Sequence, residues 1–569
     1  MALERIADRI VETDVLVVGG GIAGCPAAAK AAENGLKVTL AEKSKLDRSG
    51  SAAQGIDGYM GPFARGITPK DFQKILDDLG ARAFFGGVPY ADPTMLYKIW
   101  ANWEWTVEEL EKLGVTMKWD DGKLLVFDVS AHGSGKGLRV HWMRVKPQMA
   151  AGVRKRGVNV LERTMIIDLL TSNGTVVGAT ALDTRTGEFI VIKAKATIMA
   201  TASFSRCYTP ETPMPWKYKF NYHWCPASVS GDGWAMVYRA GAELASMEQA
   251  GRGYRFRDDM VLSYGNVRGH GVEAALYTWD GEEIGSPGSA APSPRGKLAQ
   301  LEDEGREPFY YSLNHLPDDF QKRVESAYVD ERLVSFKIAE DRGFNPKTHW
   351  YEMIDSRPNQ VHTPPGINAD GDFRATLKGL YAIGDCVAGI HSVAEAAACG
   401  FLVAESMPGF VSEAAEPAIS EAQVESQKQA ALAPLKAKGD TESIELESTI
   451  RYICDRYVGL FKSEGKLREG LRRIGSLRRE FLPRLIAKNP HQLMRCLEVR
   501  NIMDAAELHI QSSLERNETR GMHVRLDCLD QDPSLEDKLL YQRLEDGKQV
   551  VEFRKRAPMT LAEDHKEDR

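Results

Sequence analysis

Gly19-Gly20-Gly21, followed by Gly24, stand between the apolar run Val15–Val18 and an alanine-rich stretch. The spacing fits G-x-G-x-x-G. Gly19 allows a tight turn, Gly21 lets backbone approach a pyrophosphate, and Gly24 permits a helix to pack closely on a strand. The first N–H groups of such a helix lack intrahelical partners and lie at the positive end of the macrodipole, so they attract anions. Glu42 follows about twenty residues on, where a carboxylate accepts from ribose hydroxyls. Far downstream, in "LKGLYAIGDCVAGIHSVAEAAACGFLVAES", Gly384-Asp385 again separate a strand-like run from a small-residue helix. An aspartate there can accept from a ribitol hydroxyl while the helix start faces a flavin ring. Taken singly, this second pattern is equally an ordinary turn. Together the two read as one FAD site, in preference to NAD, on a domain split by a large insertion.

The elements that must position these residues follow the same order. "DVLVVGGGIAGCPAAAKAAENGLKVTLAEK" reads strand, turn, helix, strand. "PTMLYKIWANWEWTVEELEKLG" is the clearest amphipathic helical piece of the next region. "VNVLERTMIIDLLTSNGTVVGATALDTRTGEFIVIKAKATIMATAS" alternates as strands, with turns at Asn173-Gly174 and Thr186-Gly187. "STIRYICDRYVGLFKSEGKLREGLRRIGSLRREFLPRL" and "HQLMRCLEVRNIMDAAELHIQSSLERNETRG" read as two amphipathic helical stretches of a small bundle, and "TLAEDHKEDR" as a solvated tail.

At 569 residues, 27% charged and 43% hydrophobic, the chain has an ordinary globular composition with room for several domains. A net charge of −7 gives no general attraction to phosphate backbones and argues against nucleic acid as the main partner. No apolar run is long enough to span a bilayer, and "MALERIADRIVETD" has no signal-peptide core, so direct membrane insertion is not expected and cytoplasm is the default. The eight cysteines contain no C-x-x-C pair, which predicts neither a disulfide framework nor a zinc or iron–sulfur site within the chain.

"VVGGGIAG…EK", "DRSGSAAQG", "KAKATIMATAS", "GLYAIGDC" and "NETRGMHVRLD", in this order, resemble the flavoprotein subunits of the succinate dehydrogenase and fumarate reductase superfamily. Within it, the chain is most similar to the α-subunits of dissimilatory adenylylsulfate reductase. The resemblance implies an α/β fold: a Rossmann-like FAD-binding domain in two segments (1–251 and 358–418), an inserted α+β capping domain (252–357), and a C-terminal helical domain with tail (419–569). It implies that Gly19, Gly21, Gly24, Glu42, Lys43, Ser49, Gly50, Ser51, Gln54, Gly55, Ala200, Thr201, Ala202, Gly384, Asp385 and His391 hold FAD. It further implies electron exchange between a small anionic substrate of the adenylylsulfate or sulfite type and a ferredoxin-like iron–sulfur β-type subunit, in a hetero-oligomer.

The departures sharpen this expectation. Gly50 stands where some relatives carry the histidine that links to FAD, so noncovalent FAD is expected. Glu395 stands at the arginine position of the dicarboxylate enzymes' H-G-A-N-R-L-G-G segment, and "MEQAGRG" lacks the histidine of their H-P-T segment. A carboxylate substrate would be repelled there, so fumarate is disfavoured. Ala202 replaces the glycine of the family's A-T-G strand end.

Three catalytic residues are implied by the resemblance. Arg255 falls on the family's active-site arginine, whose fork matches sulfate, phosphate or carboxylate. Its structural alternative is a salt bridge with Asp258 or Asp259, and Arg252 and Arg257 are neighbours that could take its role. His362, in "VHTPPGI", is a proton or hydrogen-bond donor near neutral pH. Trp224 falls on a tryptophan beside the flavin, or is simply a core residue. Met60 and Met143 replace an asparagine and a glutamate of the adenylylsulfate pocket, and one pocket tyrosine has no match, so an adenosine moiety is not assured. Two further readings stay open: a related enzyme acting on another small carboxylate or activated alkene by hydride transfer, and a noncatalytic flavin electron relay.

Overall fold

The computed structural model describes residues 3–54, 56–61, 67–72, 90–128, 136–142, 144–208, 226–249, 253–256, 275–285, 294–312, 348–356, 365–390, 392–459 and 461–560, with 314, 315, 318, 341, 343 and 345. Its centre is a seven-stranded sheet built from β1 (Arg9–Val18), β2 (Val38–Glu42), β3 (Asn159–Glu162), β4 (Thr164–Ser172), β5 (Thr175–Asp183), β6 (Phe189–Met199) and β7 (Leu380–Ala382). The order is β3-β2-β1-β6-β5-β4, and β7 pairs with Thr197–Met199 at the end of β6. The β1, β2, β3, β6 and β7 pairings are parallel, and β4-β5-β6 form an antiparallel meander. Val15, Leu16, Val17 and Val18 are buried in succession because both faces of this part of the sheet are covered. Asn173 and Gly174 both take positive φ, 48° and 75°, so the expected turn between β4 and β5 has the twist a two-residue hairpin needs.

Small residues set the packing behind the glycine turn. Helix α1 (Gly24–Glu33) lies against the long helix α2 (Val393–Glu413), and a Cβ on Gly400 would come 2.3 Å from the carbonyl oxygen of Ala23. The backbones therefore meet where a larger side chain would hold them apart. The piece read as one helix at 93–113 is two, Pro93–Ala101 and Trp103–Leu113. They break at Asn102, whose amide donates back to the Lys98 carbonyl at 2.8 Å.

Between the two parts of the nucleotide fold lies a five-stranded antiparallel sheet. Its order is Gly253–Phe256, Trp350–Ser356, Phe309–Ser312, Ala275–Thr278, Glu283–Gly285. Leu276 and Phe309 of this sheet, and Leu298 of the helix Pro294–Asp303, are buried but stand outside the large core shared by the central sheet and the C-terminal helices.

The C-terminal region differs from the sequence expectation in two respects. The first amphipathic stretch is broken: Ser443–Ile453 runs into a wide π turn, Cys454–Val458, before the helix Glu464–Glu480. The region is also not all helical. Lys538–Glu545 and Lys548–Lys555 form a hairpin, turned at Asp546 and Gly547 with φ of 50° and 74°. This hairpin joins Leu244–Ala245 and Gly366–Ile367 in a four-stranded sheet. An Asp-Gly between alternating strands was the available signal, and its partner strands lie far away in sequence. The tail at 561–569 lies outside the described residues, although Thr560 N–H donates to Thr94 Oγ1 at 2.9 Å. No helix among the described residues is long and apolar enough to cross a membrane.

Candidate functional site

A cleft of about 1050 Å³, counted out to its open mouth, runs along the C-terminal ends of β1, β2 and β6. Gly19, Gly21, Glu42, Lys43, Gly50, Ser51, Ala200, Thr201, Ala202 and Asp385 line it, as do Ser392, Val393 and Ala396 at the start of α2. Residues far apart in sequence thus converge on one elongated groove at the sheet's switch region, where α/β folds hold their ligands.

The glycine turn is dictated by close approach. Gly19 has φ 100°, and a Cβ there would lie 2.5 Å from the Ala200 carbonyl oxygen. A Cβ on Gly24 would lie 1.9 Å from the Gly19 carbonyl oxygen, so Gly24 packs helix on strand and stays behind the cleft. Across the groove, Gly50 has φ 72°, and a Cβ on it would come 2.9 Å from Gly21 Cα. The two backbones meet in a pinch that leaves no room for a side chain on Gly50.

Polar groups around the turn have separate tasks. Glu42 accepts from Gly20 N–H and Ser44 N–H, both at 2.7 Å, and still borders the cleft. Each of its oxygens keeps lone-pair capacity for a ribose hydroxyl. Ser49 was expected at the cofactor, but it is buried off the cleft, its hydroxyl serving the Gly20 and Leu46 carbonyls at 3.1 and 3.2 Å. It fixes the turn from behind. Lys43 reaches the cleft wall, yet its ammonium is committed to Ser230 (2.9 Å), Asp232 (2.6 Å) and Glu498 (2.7 Å). Three donors meet three acceptors, so Lys43 builds the wall and has no donor left for a ligand. Gly384, with φ 65°, turns the chain against Ala23. Asp385 beside it faces the cleft with no hydrogen-bond partner among the described residues, and desolvation there, followed by the charge of Glu395, raises its pKa to about 7. Gln54 closes the short helix Ser51–Gln54. Gly55 and His391 lie outside the described residues.

Of the expected substrate-side residues, Arg255 lies in Gly253–Phe256, the edge strand of the inserted sheet, opposite Ile354. Met60 lies in the strand Ile56–Gly61, opposite Gly137. Trp224, His362, Met143, Arg252 and Arg257 fall outside the described residues.

The sequence reading missed the polar clusters beneath the cleft. Helix α3 (Pro490–Glu515) was read as amphipathic, but Glu498, Asn501, Asp504, His509, Ser512 and Ser513 are buried along with its apolar residues. Its polar residues face the nucleotide fold. Glu498 meets Lys43 and Arg206 (2.6 Å), and although burial alone would raise its pKa, those two charges hold it down to about 2. Arg206 also grips Glu447 through two nitrogens, at 3.0 and 2.6 Å. Arg239 joins Asp168 and Asp504.

A second cluster holds the segment Met247–Gln249, just before the inserted sheet. Glu248 accepts from Arg516 (2.9 Å) and Ser512 (2.7 Å). Lys462, fully buried, donates to the Glu248 carbonyl at 3.1 Å and to His523 Nδ1 at 3.3 Å. His523 Nε2 faces the Arg516 carbonyl, which can only accept, so Nε2 carries the proton and Nδ1 the lone pair. Burial drives Lys462 down to about 7.

The cleft fits FAD on these observations. Gly19, Gly20 and Gly21 line it with backbone alone ahead of α1, small residues (Ala200, Thr201, Ala202, Ala396) leave room beside them, and Asp385 offers an uncommitted carboxyl where a flat ring would lie. Similarity to known proteins agrees. Residues 14–251 match the family described as FAD binding domain, and residues 447–566 match the fumarate reductase flavoprotein C-term family. Over 94% of its length the chain is 25% identical to one chain of the fumarate reductase (CoM/CoB) of Methanothermobacter marburgensis, covering 98% of that protein. Over 91% of its length it is 26% identical to an L-aspartate oxidase of Yersinia pestis, covering 96% of it. The solved adenylylsulfate reductase of Archaeoglobus fulgidus shares the fold, with a TM-score of 0.77 at 23% identity over 97% of this chain and 96% of that one. The chain is an FAD-dependent oxidoreductase, a flavoprotein of the succinate dehydrogenase and fumarate reductase superfamily.

Proposed function

We propose that this chain is the flavoprotein subunit of an oxidoreductase that exchanges electrons between a small anion of the adenylylsulfate or sulfite type and an iron–sulfur partner. The observation that carries this reading is Glu395. It takes the place of the arginine that dicarboxylate enzymes present to substrate, and its Oε1 accepts from Trp100 Nε1 at 3.1 Å in the first turn of α2. Its charge is felt at Asp385 on the cleft wall. A succinate or fumarate carboxylate arriving there would meet negative charge where an anion needs a cation.

FAD, when bound, supplies two-electron chemistry and can release electrons singly to a partner. The glycine turn, Glu42 and Asp385 would hold it. It is bound noncovalently, since Gly50 carries no imidazole and the pinch with Gly21 leaves no room for one. Arg255 on the edge strand of the cap would neutralise the substrate anion, His362 would donate a proton to it, and Trp224 would close the site over the flavin. The partner is expected because no cysteines have cluster-ligand spacing.

A second reading, reduction of an activated alkene or another carboxylate, draws on the relatives named fumarate reductase and L-aspartate oxidase. Single-turnover flavin absorbance separates the two. Bleaching of oxidised flavin by sulfite, or reoxidation of reduced flavin by adenylylsulfate, supports the first. Reoxidation by fumarate alone overturns it.

A further inference from the structure

Cys207 and Cys454 face each other with their sulfurs 3.4 Å apart, one 1% and the other 0% exposed. Other buried thiols are used differently. Cys25, Cys386 and Cys496 each donate to a backbone carbonyl, of Gly20, Met199 and Ile486 respectively. Cys207 ends the short helix Ser205–Cys207 that follows β6, whereas Cys454 opens the π turn of the C-terminal region. The backbones carrying the two thiols are fixed relative to each other: Arg451 Nε donates to the Arg206 carbonyl at 2.9 Å, and the Arg206 guanidinium is clamped by Glu447 and Glu498. Closing the sulfurs from 3.4 Å to a bond of about 2.05 Å is a movement of roughly an ångström and a half.

We propose that Cys207 and Cys454 form a reversible disulfide that ties the nucleotide fold to the C-terminal domain under oxidising stress. Hydrogen peroxide, a by-product when reduced flavins meet dioxygen, is the oxidant. The first sulfur attacks a peroxide oxygen, the O–O bond breaks, and a sulfenic acid and one water result. The second sulfur then displaces the hydroxyl as another water, forming the S–S bond. Two thiols lose two protons and two electrons, and one peroxide becomes two waters. The π turn suits this use, because π bulges inside helical segments mark places under functional constraint. The partner thiol and burial both push the Cys454 pKa up, which keeps its thiolate scarce, so the pair is oxidised slowly and only under sustained exposure to oxidant.

The test treats the FAD-loaded full chain with hydrogen peroxide, and in parallel with diamide, then alkylates it with iodoacetamide and digests it with trypsin. The expected product is a cross-link between peptides 207–217 and 452–456 that dithiothreitol dissolves, with a loss of about 2 Da in the intact mass. The oxidised wild type should also gain several degrees in thermal midpoint, a gain absent from Cys207→Ser and Cys454→Ser. Recovery of both cysteines alkylated, or oxidised singly to sulfinic acid without any cross-link, after both oxidants overturns the proposal.

Discussion

Lys462 gives the most direct test of the buried cluster that holds the base of the inserted sheet. Its ammonium is fully enclosed, its neighbours are a carbonyl and a neutral imidazole nitrogen, and the Glu248 carboxylate nearby is already engaged by Arg516. Burial lowers its pKa from 10.5 to about 7, and the Arg525 charge adds to the push against partial support from Glu248. Between these values the unfolded chain binds a proton that the folded chain has released, so stability rises with pH across the window. Each pH unit is worth ~1.4 kcal/mol, giving on the order of 5 kcal/mol over the whole window and ~2 kcal/mol between about pH 7 and 8.5. The narrower range isolates Lys462. His509 and His523, pressed by burial and by the Lys462 charge well below 6.5, affect stability only below that value, where it falls as they protonate. Asp385, raised to about 7, acts below that and with the opposite sign, and the raised thiols act above 9. Lys462→Met should therefore flatten the urea-midpoint profile of the FAD-loaded protein over this range, whatever its absolute stability. The variant leaves two acceptors unpaired and should be less stable at pH 8.5. Parallel profiles for wild type and Lys462→Met would refute the reasoning, because they would mean that Lys462 keeps its proton at every pH tested.

Acid precipitation should release the flavin into the supernatant, and Gly21→Val should lose FAD retention, because a branched side chain on this cleft-lining residue would occupy space that the pyrophosphate needs; colour in the pellet, or stoichiometric flavin in the variant, would count against the site. Arg255→Lys should recover activity only partly, since it keeps charge and loses the fork, and loss of a buried partner charge costs about 3–5 kcal/mol. His362→Ala should lower turnover about 10²–10⁴-fold if it moves a proton in the slow step, with flavin content unchanged in both variants; normal turnover in both places the chemistry elsewhere. Ala202 holds φ 58°, a left-handed conformation that costs an L-residue about 1–2 kcal/mol, so Ala202→Gly should raise stability by up to ~1 kcal/mol after the entropy of glycine is subtracted, read as a higher thermal midpoint.

The parts of the fold legible in sequence were those where local chemistry restricts residue type. Only glycine satisfies the positions of Gly19 and Gly24, and a run such as Val15–Val18 has no role but a covered strand, so the turn could be read without any partner in view. Ser49 and Lys43 were legible as members of the site but not in their tasks. Whether Ser49 faces the ligand or the Gly20 carbonyl depends on where the loop crosses the turn, and Lys43 is spoken for by Asp232 and Glu498, which local sequence cannot pair with it. Helix α3 failed for the same reason on a larger scale. Charged residues at helical spacing usually mean a solvated face, but Glu498, Asn501 and Asp504 meet Lys43, Arg206, Asp232 and Arg239 from another part of the chain.

Those pairings also explain the task of the C-terminal hairpin. The insertion leaves the nucleotide fold after Leu244–Ala245 and returns before Gly366–Ile367, two strands that lie side by side. Two strands of two residues each cannot hold an inserted sheet in place alone. The hairpin at 538–555 extends them by pairing Lys538–Glu545 with Leu244–Ala245, and Arg516 anchors Glu248 one step further along the same path. Gly521 lies close under Tyr90 and Gln249, leaving no space for a Cβ there. The C-terminal region therefore fixes the point from which the inserted sheet departs, while Lys43 and Glu498 tie that region to the cleft wall. Geometry at the ligand cleft and geometry at the base of the inserted sheet are set by two clusters of buried charge, both gathered along helix α3 and the turn at its end.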